Sequence, residues 1–317
     1  MNEKEIYIYS KNRSIRSVIT TGYRFFSAHF KALFAYSWTG AVVYALLTGS
    51  INTFYVTKYP YLLAVSAKAQ INPYSVPENT LLTLGLLIAC TIVLYFTFPL
   101  MASFGFSVGR YHQQQQAIPL KKKWYSVDGH SLWRTTKGYL AVTLLLAVVW
   151  GVVQTADAYL FSRLASVTRI VALSMLGIIA FVISLPLVAV GTQYVLGNEP
   201  FWSTLTRRYA SAFRRWGMIF MTVMTDLLVA LLLLFITTLP AMILLTAHIQ
   251  AQEGALNGDP MGIPDHMGAL TWIVFVIAAF IQAFVILLFL FPLYFMSGAI
   301  EQQESEKKQL ISKLEEQ

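Results

Sequence analysis

The sequence predicts an all-α, polytopic membrane helix bundle from two observations. Six long apolar stretches are nearly free of charge, and the segments that join them alternate between strongly basic and nearly free of Lys and Arg. Apolar residues make up 56% of the 317 residues and charged residues 12%, whereas a soluble globular domain has about 25% charged residues. A helix needs about 20 apolar residues to cross a hydrocarbon core of about 30 Å. The six predicted spans are 32–57, 81–109, 138–156, 170–198, 227–247 and 267–300.

The distribution of Lys and Arg outside the spans predicts the orientation of the chain. The N-terminal segment, the loops after spans two and four and the C-terminal tail hold 19 of the 23 Lys and Arg residues, and the other three loops hold four. Because cationic residues are retained in the cytoplasm, both termini are predicted to be cytoplasmic in a bacterial inner (plasma) membrane. The net charge of +8 then lies on one side. It indicates an anionic lipid surface as partner and not nucleic acid, since no folded soluble module concentrates the charge.

The chain is predicted to be one integral membrane domain, 1–317, with no cleaved signal peptide. The first apolar stretch is longer than the core of a signal peptide and lacks a small-residue cleavage site. The single cysteine, Cys90, lies inside span two, which excludes an intramolecular disulfide and a cysteine-based metal cluster.

An internal repeat is predicted from spans two, four and six. Each contains an apolar-Pro-Leu triplet, around Pro99, Pro186 and Pro292, followed five or six residues later by a glycine. Each proline is expected to kink its helix and to free the carbonyl four residues earlier, which a neighbouring helix or water must satisfy. We interpret the chain as three parallel helical-hairpin repeats about an axis along the membrane normal. Their predicted bounds are 12–112, 128–198 and 199–300, followed by a charged cytoplasmic tail helix over 301–317.

Cytoplasmic amphipathic helices are predicted before the odd-numbered spans. Aromatic and aliphatic residues recur at helical spacing before span five, beside Arg207, Arg208, Arg214 and Arg215, and before span one, beside Arg16. Such a pattern is typical of a helix at the membrane interface. The corresponding segment before span three is less regular. There, Lys121, Lys122 and Lys123 lead into Trp124 and Tyr125, and this basic-aromatic cluster and the four arginines are the predicted contacts for anionic lipid. A merely solvated loop is the alternative.

Asp226 is the candidate ionisable residue inside a span, and such residues are functional hypotheses by default. The run 227–247 already supplies enough apolar residues to cross the bilayer alone. The sequence therefore favours an Asp226 that faces water at the cytoplasmic interface. A carboxylate that faces inward, binds a cation or relays protons is the alternative.

The histidines and acidic residues give little support to an enzyme. His248, Asp259, Asp265 and His266 in the last external loop form the one locally dense group, and a metal centre needs several ligands that converge on one ion. No nucleotide-binding or catalytic motif occurs. Neither a cofactor nor a metal is predicted. An enzyme remains an alternative, but the sequence does not favour it.

The basic-aromatic run Tyr23-Arg24-Phe25-Phe26, the six spans and the F-P-L triplets resemble those of uncharacterised six-span bacterial inner-membrane proteins, some of which carry a beta-carotene oxygenase label from automated annotation. The resemblance covers the whole chain as a general pattern and includes no functional motif. It implies the same six-span helical fold. An oxygenase of this kind would be expected to present histidines within its spans, and this sequence places none deep within one, so we do not extend that activity to it.

Two functions from different classes follow from these observations. The first is a non-enzymatic membrane protein that organises lipid or a partner protein, of the membrane or the cytoplasm, with its cytoplasmic amphipathic helices as the working surface. The second is a small channel or transporter with its path on the pseudo-threefold axis. A polar cavity near Asp226 and the three prolines would favour transport, whereas a dry, well-packed centre would favour the first function.

Overall fold

The computed structural model describes residues 7–71, 79–115, 129–161, 166–256, 264 and 266–315. Within these residues the regular structure is helical throughout, and it comprises eight α-helices and one π-helical turn, Asp157–Phe161. The α-helices, in chain order, are α1 Ile15–Ala28, α2 Phe30–Ile71, α3 Asn79–Gln115, α4 Gly129–Ala156, α5 Ser166–Leu196, α6 Phe201–Arg214, α7 Trp216–Leu256 and α8 His266–Glu315.

Six of these helices are long and apolar enough to cross a membrane, which confirms the number and order of the predicted spans. They are α2, α3, α4 (continued by the π turn), α5, α7 and α8. The helices are longer than the apolar runs that predicted them. The clearest case is α8, where the span and the charged segment after it form one helix of 50 residues that ends at Glu315, so the tail over 301–315 is not a separate element.

The two short helices, α1 and α6, share a length and a position. Each has 14 residues and is separated from the long helix that follows by a single residue, His29 or Arg215. The Ser14 side chain accepts a hydrogen bond from the Ser17 backbone N–H and so caps α1. Pro200 precedes α6, where its fixed φ suits the start of a helix. Before span three the pattern differs, because α4 runs without a break from Gly129 into the span.

The chain forms two compact units. The first comprises Met1–Tyr36, Ala102–Leu228 and Leu288–Gln317, and the second comprises Ser37–Met101 and Val229–Leu287. Helices α2, α3, α7 and α8 contribute residues to both units. The groups discussed below as a candidate site belong to the first unit, except His248 and His266, which belong to the second.

Helices of the second unit are joined by a close backbone approach and by side-chain hydrogen bonds. Gly49 of α2 approaches the α8 backbone so closely that a Cβ would lie 2.6 Å from a Val276 methyl group. The Trp272 indole N–H donates to Ser50 Oγ at 2.9 Å, and the buried His248 side chain is hydrogen-bonded to Thr271 at 3.0 Å. Small residues and side-chain hydrogen bonds of this kind are the usual means by which helices associate in lipid.

The predicted prolines lie inside continuous helices, Pro99 in α3, Pro186 in α5 and Pro292 in α8. A fourth proline, Pro240, lies inside α7. The exposure of apolar side chains changes along α3, α5 and α8 in the same direction. Large apolar residues are exposed before Pro99 and Pro186 and in the first turns of α8, and most of the eight residues that directly follow each proline are buried. The segments after the prolines are therefore enclosed by protein.

Candidate functional site

The segments after the three prolines meet at Gly109. A Cβ at Gly109 of α3 would lie 3.0 Å from the Tyr294 ring of α8 and 3.5 Å from a Leu196 methyl group of α5. Val108, Tyr294 and Leu196 are buried. Such contacts are those of a close-packed protein interior. At this point α3 is in van der Waals contact with α5 and α8, and a side chain at position 109 would press on the Tyr294 ring.

Tyr209 of α6 and Trp216, the first residue of α7, donate hydrogen bonds to backbone carbonyls near Pro186. Pro186 has no N–H for the Val182 carbonyl, and the Trp216 indole N–H, just after α6, donates to this oxygen at 3.2 Å. The Tyr209 hydroxyl donates to the neighbouring Ile183 carbonyl at 2.9 Å. The expectation that a neighbouring helix satisfies the freed carbonyl is confirmed at Val182. Burial raises the pKa of Tyr209, so its hydroxyl keeps its proton.

The N-terminal residues pack in a similar way on α8. A Cβ at Gly22 of α1 would lie 2.5 Å from the Pro292 nitrogen, so α1 crosses α8 at this proline. The backbone of Tyr9 lies against Gly298, the glycine that follows the triplet, and leaves no space for a Cβ there. The Tyr9 hydroxyl is hydrogen-bonded to Ser297 at 3.3 Å. Two of the features that predicted the repeat, the proline and its following glycine, therefore serve in α8 as the docking points of the N-terminal segment.

Asp226 is buried, which contradicts the expectation that it faces interfacial water. Asp226 is 1% exposed, and the Tyr23 hydroxyl of α1 donates to its Oδ1 atom at 2.7 Å. Oδ2 has no hydrogen-bond partner among the described residues. Burial and the bond to Asp226 raise the pKa of Tyr23, so Tyr23 remains a donor. The sequence could not show this, because the two residues lie 203 positions apart.

Two arginines that were counted as loop charges bind the end of α5. Arg134 donates to the Tyr194 and Glu199 carbonyls at 2.6 and 2.8 Å and lies over the Tyr194 ring. Arg110 donates to the Leu196 and Gly197 carbonyls at 3.4 and 2.9 Å. The last carbonyls of a helix lack intrahelical partners, and cations are favourable at this end of the helix dipole. Both arginines hold the C-terminal end of α5.

The predicted lipid-contact arginines have two different environments. Arg214 is exposed on α6, together with Trp202 (66% exposed) and Phe213 (44%). Arg207 and Arg208 instead form salt bridges with Glu199 and Glu301 at 3.5 and 3.3 Å. Arg215 is half-buried at the end of α6, where its backbone N–H donates to the Ala212 carbonyl. Lys121, Lys122 and Lys123 lie outside the described residues.

A cleft of about 390 Å³ lies beside these salt bridges. Its lining is made of side chains that carry charge, with one serine, and the two signs are equal in number. The lining residues are Glu199, Arg207, Arg208, Glu301, Glu304, Ser305 and Lys308.

The residues considered for a metal site do not come together in the described part of the chain. There, no three His, Cys, Asp or Glu side chains are placed to hold one ion. His248 is bonded to Thr271, and His266 is exposed at the start of α8. Asp259 and Asp265 lie outside the described residues.

Fold and composition together define the chain as a multi-pass helical membrane protein, since six helices of sufficient length and apolarity follow one another along it. No protein-family model matches the chain, and neither a curated protein nor a solved structure matches it.

Proposed function

We propose that this protein is a non-enzymatic inner-membrane protein that organises lipid, or a partner protein, at the cytoplasmic face of the membrane. The observation that carries the proposal is the close packing at Gly109, where a Cβ on α3 would meet the Tyr294 ring of α8 at 3.0 Å and a Leu196 methyl group of α5 at 3.5 Å. A path along an axis shared by the three helices would be closed there. A packed centre and exposed, charged peripheral helices favour a role at the surface over one in the interior.

The working surface in this proposal is formed by exposed faces of α1 and α6. Arg24 on α1 and Arg214 on α6 are exposed, and on α6 the exposed aromatic residues Trp202 and Phe213 accompany the charge. Aromatic side chains favour the headgroup level and arginine binds phosphate groups. The charge asymmetry of the loops supports placing this surface in the cytoplasm. Anionic phospholipid is then its partner.

The three-repeat organisation belongs to the same proposal, and α1 and α6 support it. The two helices have equal length and the same one-residue separation from the next span. Tyr23 and Tyr209 occupy the same position, eight residues after the first residue of each helix, and both donate to a neighbouring helix. In the second repeat the break is absent, and α4 itself provides the corresponding segment.

Removal of exposed charge tests the lipid surface. The double substitution Arg24→Gln, Arg214→Gln should weaken the binding of phosphatidylglycerol to the purified protein, because each cation near an anionic surface contributes about 1 kcal/mol. Two of them correspond to a loss of roughly 30-fold in affinity. Quenching of tryptophan fluorescence by brominated lipid in detergent micelles measures the affinity.

The matched control is Lys307→Gln, Lys313→Gln, which removes the same charge from exposed positions of α8. It should leave phosphatidylglycerol affinity within about threefold, since surface substitutions away from a site have small effects. Equal losses in the two variants, or equal binding of phosphatidylglycerol and phosphatidylcholine by the unaltered protein, would refute the proposed surface.

A small channel or transporter is the second candidate, and the burial of Asp226 favours it. A carboxylate with one oxygen bound by Tyr23 and the other without a hydrogen-bond partner among the described residues is costly in hydrocarbon. Such groups mark ion and proton pathways in many membrane proteins. Cation or proton flux in proteoliposomes, with and without Asp226→Asn, separates this candidate from the first.

A further inference from the structure

We propose that the charged cleft between α6 and α8 binds a zwitterionic lipid headgroup that combines a phosphate with a primary ammonium, that is, phosphatidylethanolamine. This inference rests on the proposed lipid-organising function and adds a second, distinct lipid site to it. The cleft volume of about 390 Å³ falls in the range of about 300–1,000 Å³ that is typical of small-molecule sites.

The charge balance of the lining selects the ligand. Glu199, Glu301 and Glu304 oppose Arg207, Arg208 and Lys308, so the formal charge of the lining is zero. A purely anionic or purely cationic ligand would bring like charges together in the cleft. A zwitterion instead places a group of each sign against its complement, with the phosphate on the arginines and lysine and the ammonium on the glutamates.

A bound headgroup can replace a salt bridge that already exists in the cleft. The Arg207–Glu199 pair is joined at 3.5 Å and its side chains are 71% and 44% exposed, and the Arg208–Glu301 pair is joined at 3.3 Å. The Arg207–Glu199 pair is exposed and therefore weak, whereas both terminal nitrogens of the less exposed Arg208 donate to Glu301 Oε1. A headgroup therefore displaces the Arg207–Glu199 pair at little cost, and Arg207 then becomes available to the phosphate.

Two carboxylates are placed to accept an ammonium. The Oε2 atom of Glu199 is buried and has no hydrogen-bond partner among the described residues. Glu304 lies one helical turn before Lys308 on α8, and no salt bridge of 4.0 Å or less joins the two in the described part of the chain. Glu304 and Lys308 thus offer one acceptor and one cation at the spacing of neighbours on a helix.

The position of the cleft indicates a lipid as the source of the headgroup. Glu301 is the first charged residue after the apolar part of α8, and Glu199 lies just after α5 ends. Trp202, 66% exposed, is on the same short helix as Arg207 and Arg208. These residues mark the level at which apolar side chains give way to charge, which is the headgroup level of a bilayer.

The test compares phosphatidylethanolamine with phosphatidylcholine, whose phosphate is the same and whose quaternary ammonium has no N–H to donate. The full-length protein should bind phosphatidylethanolamine about tenfold more tightly, the factor that one charge-assisted hydrogen bond supplies. Glu304→Gln should reduce this preference to about twofold or less, whereas Lys308→Gln should weaken both lipids by a similar factor and keep the preference. Brominated lipids in detergent micelles measure both affinities.

Glu315→Gln and Lys313→Gln make the same changes at exposed positions of α8 outside the cleft, and both should behave as the unaltered protein. Equal affinities for the two lipids, or the same loss in Glu304→Gln as in Glu315→Gln, would overturn the site. If free glycerophosphoethanolamine competes at the concentration at which the lipid binds, the ligand need not be a lipid, and that part of the proposal would be overturned.

Phosphatidylglycerol binding, measured with and without Arg24→Gln, Arg214→Gln, tests the proposed function independently of the cleft. A phosphatidylethanolamine preference without phosphatidylglycerol binding supports the cleft and rejects the anionic-lipid surface. Phosphatidylglycerol binding without that preference rejects the cleft alone.

Discussion

At the scale of single residues, a few side chains decide how the first unit is held together. Tyr23 binds the buried Asp226, and Arg134 binds two carbonyls at the end of α5. A hydrogen bond to a charged group contributes about 1.5–3 kcal/mol, and loss of one partner leaves the other buried and unsatisfied. These polar contacts therefore hold the helices in position although the surrounding surface is apolar.

Asp226→Asn and Tyr23→Phe separate structure from transport. Asn keeps an oxygen for Tyr23 and removes a buried charge, so the free energy of unfolding should stay equal or rise slightly. Phe removes the donor and leaves the carboxylate unpaired, so the free energy of unfolding should fall by about 1–3 kcal/mol. Unfolding in mixed micelles measures both.

Under the lipid-organising function, proteoliposomes should show no cation or proton flux above empty liposomes. A flux that Asp226→Asn abolishes without a change in stability would establish the transporter instead.

At the scale of elements, α1 and α6 act as braces on the proline-containing helices. Tyr209 of α6 and Trp216, at the start of α7, donate to carbonyls of α5, and α1 crosses α8 where Gly22 meets Pro292. The amphipathic pattern predicted that these segments are helices. It did not predict what they touch, because their partners (backbone carbonyls near Pro186, the backbone at Pro292 and the Asp226 carboxylate) are brought to them only by helix packing.

A double-mutant cycle tests the brace at Pro186. Trp216→Phe should lower the free energy of unfolding by about 1–3 kcal/mol, because the Val182 carbonyl loses its donor. In a Pro186→Ala background the restored backbone N–H can serve this carbonyl, so the same substitution should cost less by at least about 1 kcal/mol. Trp202→Phe, at an exposed position of α6, is the control and should change stability by less than about 0.5 kcal/mol. Equal costs of Trp216→Phe in both backgrounds would show that the indole acts through packing alone.

At the scale of the whole molecule, hydropathy and charge were sufficient to predict the class of protein. Apolar runs long enough to cross a bilayer predicted the six long helices, because in hydrocarbon a helix must satisfy its own backbone. The same reasoning could not predict the burial of Asp226 or the use of Arg110 and Arg134 at the end of α5. Counting charges treats each loop cation as solvated, whereas helix packing decides which of them are sequestered.

The central claim is that six spans place α1, α6 and the end of α8 in the cytoplasm. Single cysteines introduced at Ser75, Gly258, Ser126 and Lys313, in a chain whose Cys90 is replaced by alanine, test it with an impermeant thiol reagent. The cysteines at 75 and 258 should be labelled in intact cells, and those at 126 and 313 only after the inner membrane is permeabilised, which also controls for reactivity. Labelling at 126 and 313 in intact cells, with protection at 75 and 258, would contradict the orientation and place the proposed lipid surface on the opposite face of the membrane.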